Sequence, residues 1–139
     1  MKKILIVSPF FKPSIGGVET HLGDVVSFLD EKNHKVFVNT YTPNITNTYR
    51  SVGEKKTKVP LREINGNVEI RRIRWFGSGL FFSLTDYPVL EFLYMIPALL
   101  LYNFIFLISH KDIDVVNPHG LIAAFVTRIL SPIFRKCSL

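Results

Sequence analysis

A long apolar stretch limits what this chain can fold into more than any other feature. Residues 89–108 (VLEFLYMIPALLLYNFIFLI) reach the length of about 20 residues that a helix needs to cross a lipid bilayer. The same stretch would also suit a helix buried against a sheet, or one lying along a membrane surface. Pro88 fits a first helical turn, with Thr85 or Asp86 as its cap, and Pro97 is expected to kink or split the helix. The segments on either side of this stretch indicate whether it spans a bilayer, packs on a sheet or lies on a membrane surface.

Short runs that are typical of β-strands lie on both sides of this stretch. They are Lys3–Ser8, Val36–Tyr41, Val68–Trp75 and Ile113–Asn117. The first is a β-branched run that indicates a buried parallel strand. The third alternates apolar and charged residues with a period of two, which predicts a half-exposed strand near a sheet edge. Residues 44–67 are polar, basic and rich in turn formers, and they predict a loop.

Two further segments carry apolar residues at helical spacing. The first predicted apolar face consists of Val18, Leu22, Val25, Val26 and Leu29. The second consists of Leu121, Phe125, Val126, Ile129 and Leu130, and it stops near Pro132. Strands that alternate with helices predict an α/β fold, a Rossmann-like parallel sheet with helices on both faces. We expect residues 1–139 to form one such domain.

Composition and charge exclude several classes of protein. An apolar content of 47% with 20% charged residues indicates a globular chain rather than a disordered one. Cys137 is the only cysteine, and the N-terminal apolar run stops at Ser8-Pro9 without a cleavage site, so we expect a cytoplasmic protein. Residues 50–74 hold eight Lys and Arg against three Glu, a difference of five within the net charge of +6. This segment either binds an anionic partner or is a solvated loop. No motif in the sequence indicates that the partner is a nucleic acid.

Candidate binding residues follow the first and fourth predicted strands. In open α/β sheets, ligands bind beyond the carboxyl ends of the strands, at the point where the strand order reverses. Gly16-Gly17 follows the first strand and His119 follows the fourth, so both would flank one crevice if these strands are neighbours. A glycine pair before a helix lets backbone N–H groups approach a phosphate, or it simply forms a tight turn.

The roles of two histidines and one acidic segment follow from their positions relative to this crevice. His119 could donate a hydrogen bond to a substrate hydroxyl or titrate near neutral pH, or it could be an ordinary loop histidine. His21 lies off the predicted apolar face of its helix, so exposure is the default expectation. Asp112-Ile113-Asp114 resembles a D-x-D metal motif but opens the fourth strand, on the far side of the sheet from the crevice, so no metal site is predicted.

Four sequence patterns together resemble a known family. The pattern P-x-x-G-G-V-E-x-H runs from Pro13 to His21, and D-V-V-N-P-H-G runs from Asp114 to Gly120. With N-H-K-V-F-V ending at Val38, and with Asn67 to Arg74 as a third strand, they resemble the N-terminal domain of family 4 GT-B glycosyltransferases. A looser resemblance is to enzymes of that family that glycosylate phosphatidylinositol.

The resemblance implies an activity and roles for residues. The reaction would be retaining transfer of a sugar from a nucleotide-sugar to a hydroxyl acceptor, such as a lipid or a polysaccharide precursor, with no metal or cofactor. Gly16 and Gly17 would line the cleft near the donor phosphates, and His119 would contact the sugar as the catalytic cleft histidine. Glu19 and His21 occupy motif positions on the first helix. Asn117 stands where the family often has His, among the acceptor contacts.

The family's donor-gripping E-x7-E element does not occur in residues 1–139. The resemblance therefore implies an incomplete, acceptor-side half that is inactive alone and depends on a C-terminal domain or a separate donor-binding subunit. It also implies that residues 89–108 do not span a membrane, because the first and fourth strands share one sheet; contact with the cytoplasmic membrane surface stays open. The alternatives are a non-catalytic α/β binding module or partner subunit, and a small protein with one spanning helix at 89–108.

Overall fold

The computed structural model describes residues 1–14, 16–42, 59–74, 80, 84 and 86–134. Its strands are β1 (Lys3–Val7), β2 (Lys35–Tyr41), β3 (Arg62–Asn65), β4 (Val68–Ile73) and β5 (Val115–Pro118). Its α-helices are α1 (Gly17–Glu31), α2 (Pro88–Ser109) and α3 (Leu121–Leu130), and a 3₁₀ turn at Ser131–Phe134 follows α3. The predicted end of the third strand at Trp75, the cap at Thr85 and residues 50–58 of the basic segment lie outside the described residues.

The strands form one mostly parallel sheet in the order β3-β4-β2-β1-β5. β1 pairs in parallel with β2 on one side and with β5 on the other, so the predicted first and fourth strands are neighbours. Successive connections thus move outward from β1 in opposite directions, which creates the reversal point expected of this fold. The α/β, Rossmann-like architecture predicted from the sequence is confirmed.

The prediction of a loop over residues 44–67 is wrong at its end. Residues Arg62–Asn65 form β3, which pairs antiparallel with β4 and makes the sheet mixed. Asn65 pairs with Val68 across a two-residue loop, and Gly66 takes a positive φ of 58° there. The two loop residues are Gly66-Asn67, and a glycine at the first loop position is a common hairpin signal because it tolerates positive φ. The polar, charged composition of Arg62–Asn65 hid a strand that is mostly exposed at the sheet edge.

The third predicted strand, β4, lies next to the edge but is less exposed than its charged residues suggested. Glu69 and Arg72 are both buried. Glu69 accepts hydrogen bonds from Nε of Arg62 at 2.8 Å and from Nε of Arg71 at 2.6 Å. Burial alone would raise the pKa of the Glu69 carboxyl, but the two guanidinium groups outweigh it and hold that pKa below its usual range. The period-two pattern predicted the strand, and ion pairing explains how its charges are buried.

Helices cover both faces of the sheet. On one face, α1 packs Leu22 and Val26 onto Ile6 and Val38. On the other face, α2 and α3 pack Met95, Leu99, Phe106, Ala123 and Val126 onto Leu5, Val7 and Phe37. Both predicted helical faces therefore contribute to the core. Of the predicted α1 set, Leu22 and Val26 are buried and Val18 is exposed. Of the predicted α3 set, Val126 and Leu130 are buried, while Leu121, Phe125 and Ile129 form a second, exposed apolar stripe.

Helix α2 runs continuously across Pro97, so the predicted split does not occur. The proline side chain is exposed, whereas Met95 and Leu99 on either side of it are fully buried against the sheet. Packing of the flanking turns compensates for the hydrogen bond that Pro97 cannot make. By length and composition α2 could cross a membrane, with 28% of its most apolar window buried, but a core helix passes the same test.

Candidate functional site

The carboxyl ends of β1 and β5 meet where the sequence predicted a crevice. Val7 pairs with Pro118, and the backbone N–H of His119 donates a 2.8 Å hydrogen bond to the carbonyl of Val7. Gly120 follows with a φ of 88° and forms the N-cap of α3. This positive φ favours glycine and turns the chain directly from β5 into α3. The backbone thereby fixes His119 at the sheet edge, above the end of β1.

A cleft of about 320 Å³ lies at this edge. It is lined by the residues that follow β1 and β5 and by the first turns of α1, α2 and α3. These residues are Ser8, Pro9, Phe10, Val18, Glu19, Pro88, Glu91, Phe92, His119, Gly120, Leu121 and Ile122. Its position beyond the carboxyl ends of adjacent parallel strands is where open α/β folds bind their ligands.

His119 is the polar centre of the cleft. Its Nε2 atom is buried and has no hydrogen-bond partner among the described residues. Burial lowers the pKa of the imidazole, and the nearby charge of His21 lowers it further. The ring is therefore neutral near pH 7, and Nε2 can accept or donate one hydrogen bond to a ligand hydroxyl, depending on the tautomer.

Glu19 joins His119 in the lining, but Gly16 and Gly17 do not. The Glu19 side chain folds back over Gly16, where a Cβ atom would collide with its carboxylate. A carboxylate at a helix N-terminus is favoured by the helix dipole. The position beside Gly16 that was predicted for a donor phosphate is thus held by a side-chain anion, while Gly17 faces open space.

His21 and Asn117 lie close to the cleft without lining it. His21 is exposed on α1, as predicted, yet its charge acts on His119. Asn117 pairs with Ile6 in the sheet and is half-buried. Because parallel partners point to the same side, Asn117 faces the α1 side of the sheet, as Ile6 does.

Glu91 is a lining residue that sequence reasoning did not single out. It lies in the first turn of α2, within the long apolar stretch of residues 89–108. An isolated carboxylate in such a run, one turn after Pro88, was the available signal. With Glu19 it gives the lining two carboxylates, and no Lys or Arg is among the lining residues that the structure describes. An acidic cleft disfavours a diphosphate and suits hydroxyl groups, which donate to carboxylates.

The D-x-D segment lies at the amino ends of the strands, opposite the cleft, as predicted. The Asp112 carboxylate pairs with the ammonium group of Lys3, and the Asp114 carboxylate accepts a 2.7 Å hydrogen bond from the backbone N–H of Lys3. The Lys3 hydrogen bond lowers the pKa of the Asp112 carboxyl. Among the residues the structure describes, no group of three or more His, Cys, Asp or Glu side chains could hold a metal ion.

Comparisons with known proteins do not extend the resemblance. No protein-family model matches this chain, and no curated protein is significantly similar to it.

Proposed function

We propose that this chain is the acceptor-side part of a retaining glycosyltransferase, and that its cleft holds a hydroxyl-bearing acceptor. The observation that carries the proposal is the unpartnered, buried Nε2 of His119 in a cleft that also contains Glu19 and Glu91. A hydroxyl group can both accept and donate hydrogen bonds, so it can satisfy the imidazole and a carboxylate together. The resemblance of Pro13–His21 and Asp114–Gly120 to family 4 GT-B enzymes supports the same assignment.

The charge of the cleft indicates which of the two substrates this chain would bind. Two carboxylates and no lining Lys or Arg make the described part of the cleft a poor place for a nucleotide diphosphate. We therefore assign the donor nucleotide-sugar to a C-terminal domain or a separate subunit, and the acceptor to this chain. The role of His119 would be to orient the acceptor hydroxyl, which lowers the entropic part of the barrier to transfer.

The proposal is tested by following the His119 ring through ¹⁵N–¹H NMR correlations. Dihexanoyl phosphatidylinositol and monosaccharides serve as acceptor probes, and UDP-glucose and GDP-mannose serve as donor probes. We expect the acceptor probes to shift the His119 signals and the His119→Gln variant to bind them about tenfold more weakly. Failure of every hydroxyl probe to shift His119 would exclude the acceptor role.

A transfer assay tests the second part of the proposal. The pure chain is incubated with radiolabelled nucleotide-sugars and a membrane-lipid extract. We expect no labelled product, because the donor site would be supplied elsewhere. Labelled product from the pure chain, lost in the His119→Gln variant, would show that the chain is an enzyme by itself. It would contradict the assignment of the donor to another domain or subunit.

A non-catalytic binding module is the second candidate. The same acidic cleft, without a lining cation for a phosphate, is also what a simple receptor for a hydroxylated ligand would present. Acceptor binding that is unchanged when a donor-binding partner is added, with no transfer in the mixture, would favour this candidate.

We also propose that α2 and α3 contact the cytoplasmic membrane surface and do not cross the bilayer. Crossing would separate β4 from β5, yet both belong to one sheet. The outward sides of the two helices expose a set of large apolar side chains, which we call the outer apolar surface. It consists of Val89, Leu90, Leu93, Leu101, Phe104, Ile105, Ile108, Leu121, Phe125 and Ile129. An exposed apolar surface of this kind marks contact with lipid or with another protein.

A further inference from the structure

A second cavity lies on the α1 face of the sheet, away from the cleft. It has a volume of about 450 Å³, opens to solvent, and is bordered by α1, the β3–β4 hairpin and the segment at Lys12-Pro13. We call it the hairpin cavity. It shares no lining residue with the cleft among the residues described for either. What it binds therefore does not depend on the proposed function.

Arg72 lines the hairpin cavity and carries an unsatisfied hydrogen-bond donor. Its side chain is only 2% exposed, and its Nη1 atom pairs with the Glu63 carboxylate at 2.9 Å. Nη1 and Nη2 also donate to the backbone carbonyls of Pro60 and Lys12, at 3.0 and 3.1 Å. The Nε–H group, in contrast, is buried and has no partner among the described residues. A buried donor without a partner is rare in folded proteins, and it is available to a water molecule or to an oxygen of a ligand.

The rest of the lining indicates the chemistry of that ligand. Lys12 and Arg72 are positive and Asp30 and Glu63 are negative, two against two, so the cavity has no net charge for an ion. Donors and acceptors both line it, and Val26, Val68 and Ile70 add an apolar surface. A ring that bears several hydroxyl groups matches this combination, because its oxygens accept from Nε–H, its hydroxyl protons donate to the carboxylates, and its C–H faces pack on the apolar surface.

We propose that the hairpin cavity is a binding site for a small polyhydroxylated ring, a monosaccharide or a cyclitol. One hydroxyl oxygen accepts the Nε–H of Arg72, and neighbouring hydroxyls donate to Asp30 or Glu63. The site lies between α1 and the hairpin, so an occupied cavity ties β3 and β4 to α1.

The Nε–H signal of Arg72 in ¹⁵N–¹H spectra of the full chain is the direct test. The Arg72→Lys variant assigns the signal, because it lacks the Nε–H group. A phosphocholine detergent covers the outer apolar surface and, unlike a glycosidic detergent, carries no sugar group. Glucose and myo-inositol are the probes, and inorganic phosphate and acetate are the ionic controls. We expect the two polyols to shift the Nε–H signal in a saturable way and the ions to leave it in place. No shift with either polyol, or a shift with the ions alone, would overturn the proposal.

A matched pair of variants keeps the test valid if Arg72→Lys does not fold. Ser27 lines the hairpin cavity, whereas Thr20, on the same helix, lines neither cavity; each hydroxyl donates to the backbone carbonyl four residues earlier. Ser27→Phe should fill the cavity and weaken glucose and myo-inositol binding by calorimetry at least about tenfold, while Thr20→Phe should bind as the unaltered chain does. Equal affinities of the two variants would contradict the site. Because the cleft is separate, the His119 signals in Ser27→Phe should still respond to acceptor probes.

Discussion

The side-chain amide nitrogen of Asn39 donates a 2.9 Å hydrogen bond to the side-chain oxygen of Asn103, and both residues are fully buried. Asn39 belongs to β2 and Asn103 to α2, so the bond links the apolar helix to the middle of the sheet. Asn103 also donates to the carbonyl of Leu99 at 2.7 Å. The one amide within an otherwise apolar turn thus fixes which side of α2 faces the sheet.

Replacing Asn103 with Leu should destabilise the fold. The change leaves the Asn39 amide buried without its acceptor, and an unsatisfied buried polar group costs about 1–3 kcal/mol. Chemical denaturation followed by circular dichroism measures the free energy of unfolding. The double variant Asn39→Leu/Asn103→Leu removes both partners and should recover part of the loss. A single variant as stable as the unaltered chain would mean that the bond does not orient α2.

Stability should fall in acid because of Glu69. Its hydrogen bonds from Arg62 and Arg71 depress the carboxyl pKa in the folded state below the ordinary value of 4.5. The unfolded chain therefore binds the proton more readily, so the contribution of Glu69 is complete above pH 4.5 and is lost as the pH falls through the folded pKa. Unfolding curves between pH 3 and pH 7, compared with those of Glu69→Gln, measure it. An identical acid dependence in both proteins would contradict this assignment.

The His119 ring should titrate below the ordinary histidine value of 6.5. Burial is the larger cause and the charge of His21 is the smaller one, so His21→Gln should raise the midpoint only part of the way. Because the folded pKa is depressed, stability from this group is present above pH 6.5 and is lost as the pH falls toward the folded pKa.

NMR titration of the imidazole signals provides the midpoint of His119. His110→Gln is the matched control, because His110 follows the carboxyl end of α2 and stacks on Phe106 at 4.2 Å, away from the cleft. The control variant should leave the midpoint unchanged. A His119 midpoint at or above 6.5 would mean that the ring is solvated and would weaken its proposed role in the cleft.

The sequence predicted the elements whose patterns are set by burial. β1, α1 and β2 were found because Leu5, Leu22 and Val36 lie in the core, and burial imposes the spacing of apolar residues. β3 was missed because burial imposes no spacing of apolar residues on an exposed edge strand. The sequence of its partner strand β4 shows a strand pattern, whereas its own sequence does not. The continuity of α2 across Pro97 also depends on tertiary packing, which a local proline rule does not include.

The site was predictable to the extent that chain topology determines it. Pairing of β1 with β5 brought His119 to the cleft, as predicted from the order of the strands. Gly16 and Gly17, which the same argument placed beside it, do not line the cleft, whereas Glu19 does. Glu91 was not predictable in this way, because its place in the lining depends on how α2 packs across the sheet. The unpartnered donor of Arg72 could not be predicted either, since the Arg72 hydrogen bonds join β4 to segments that are distant in the chain.

The outer apolar surface should be responsible for membrane binding. Leu93 and Leu101 lie on α2, are 58% and 61% exposed, and make up part of this surface. Burying a leucine side chain in lipid contributes about 1.5–3 kcal/mol, whereas a glutamate there is unfavourable. The variant Leu93→Glu/Leu101→Glu should therefore bind phospholipid vesicles at least tenfold more weakly in a flotation assay, with an unchanged circular dichroism spectrum.

Phe28→Glu is the control for this change. Phe28 is 57% exposed, but it lies on α1, on the opposite face of the sheet. If α2 and α3 form the membrane contact, this control should float with vesicles as the unaltered chain does. Carbonate extraction should release the unaltered chain, because a helix that packs along a sheet is held at the surface only. A chain that stays in the carbonate pellet, or equal loss of flotation in both variants, would contradict surface contact through α2.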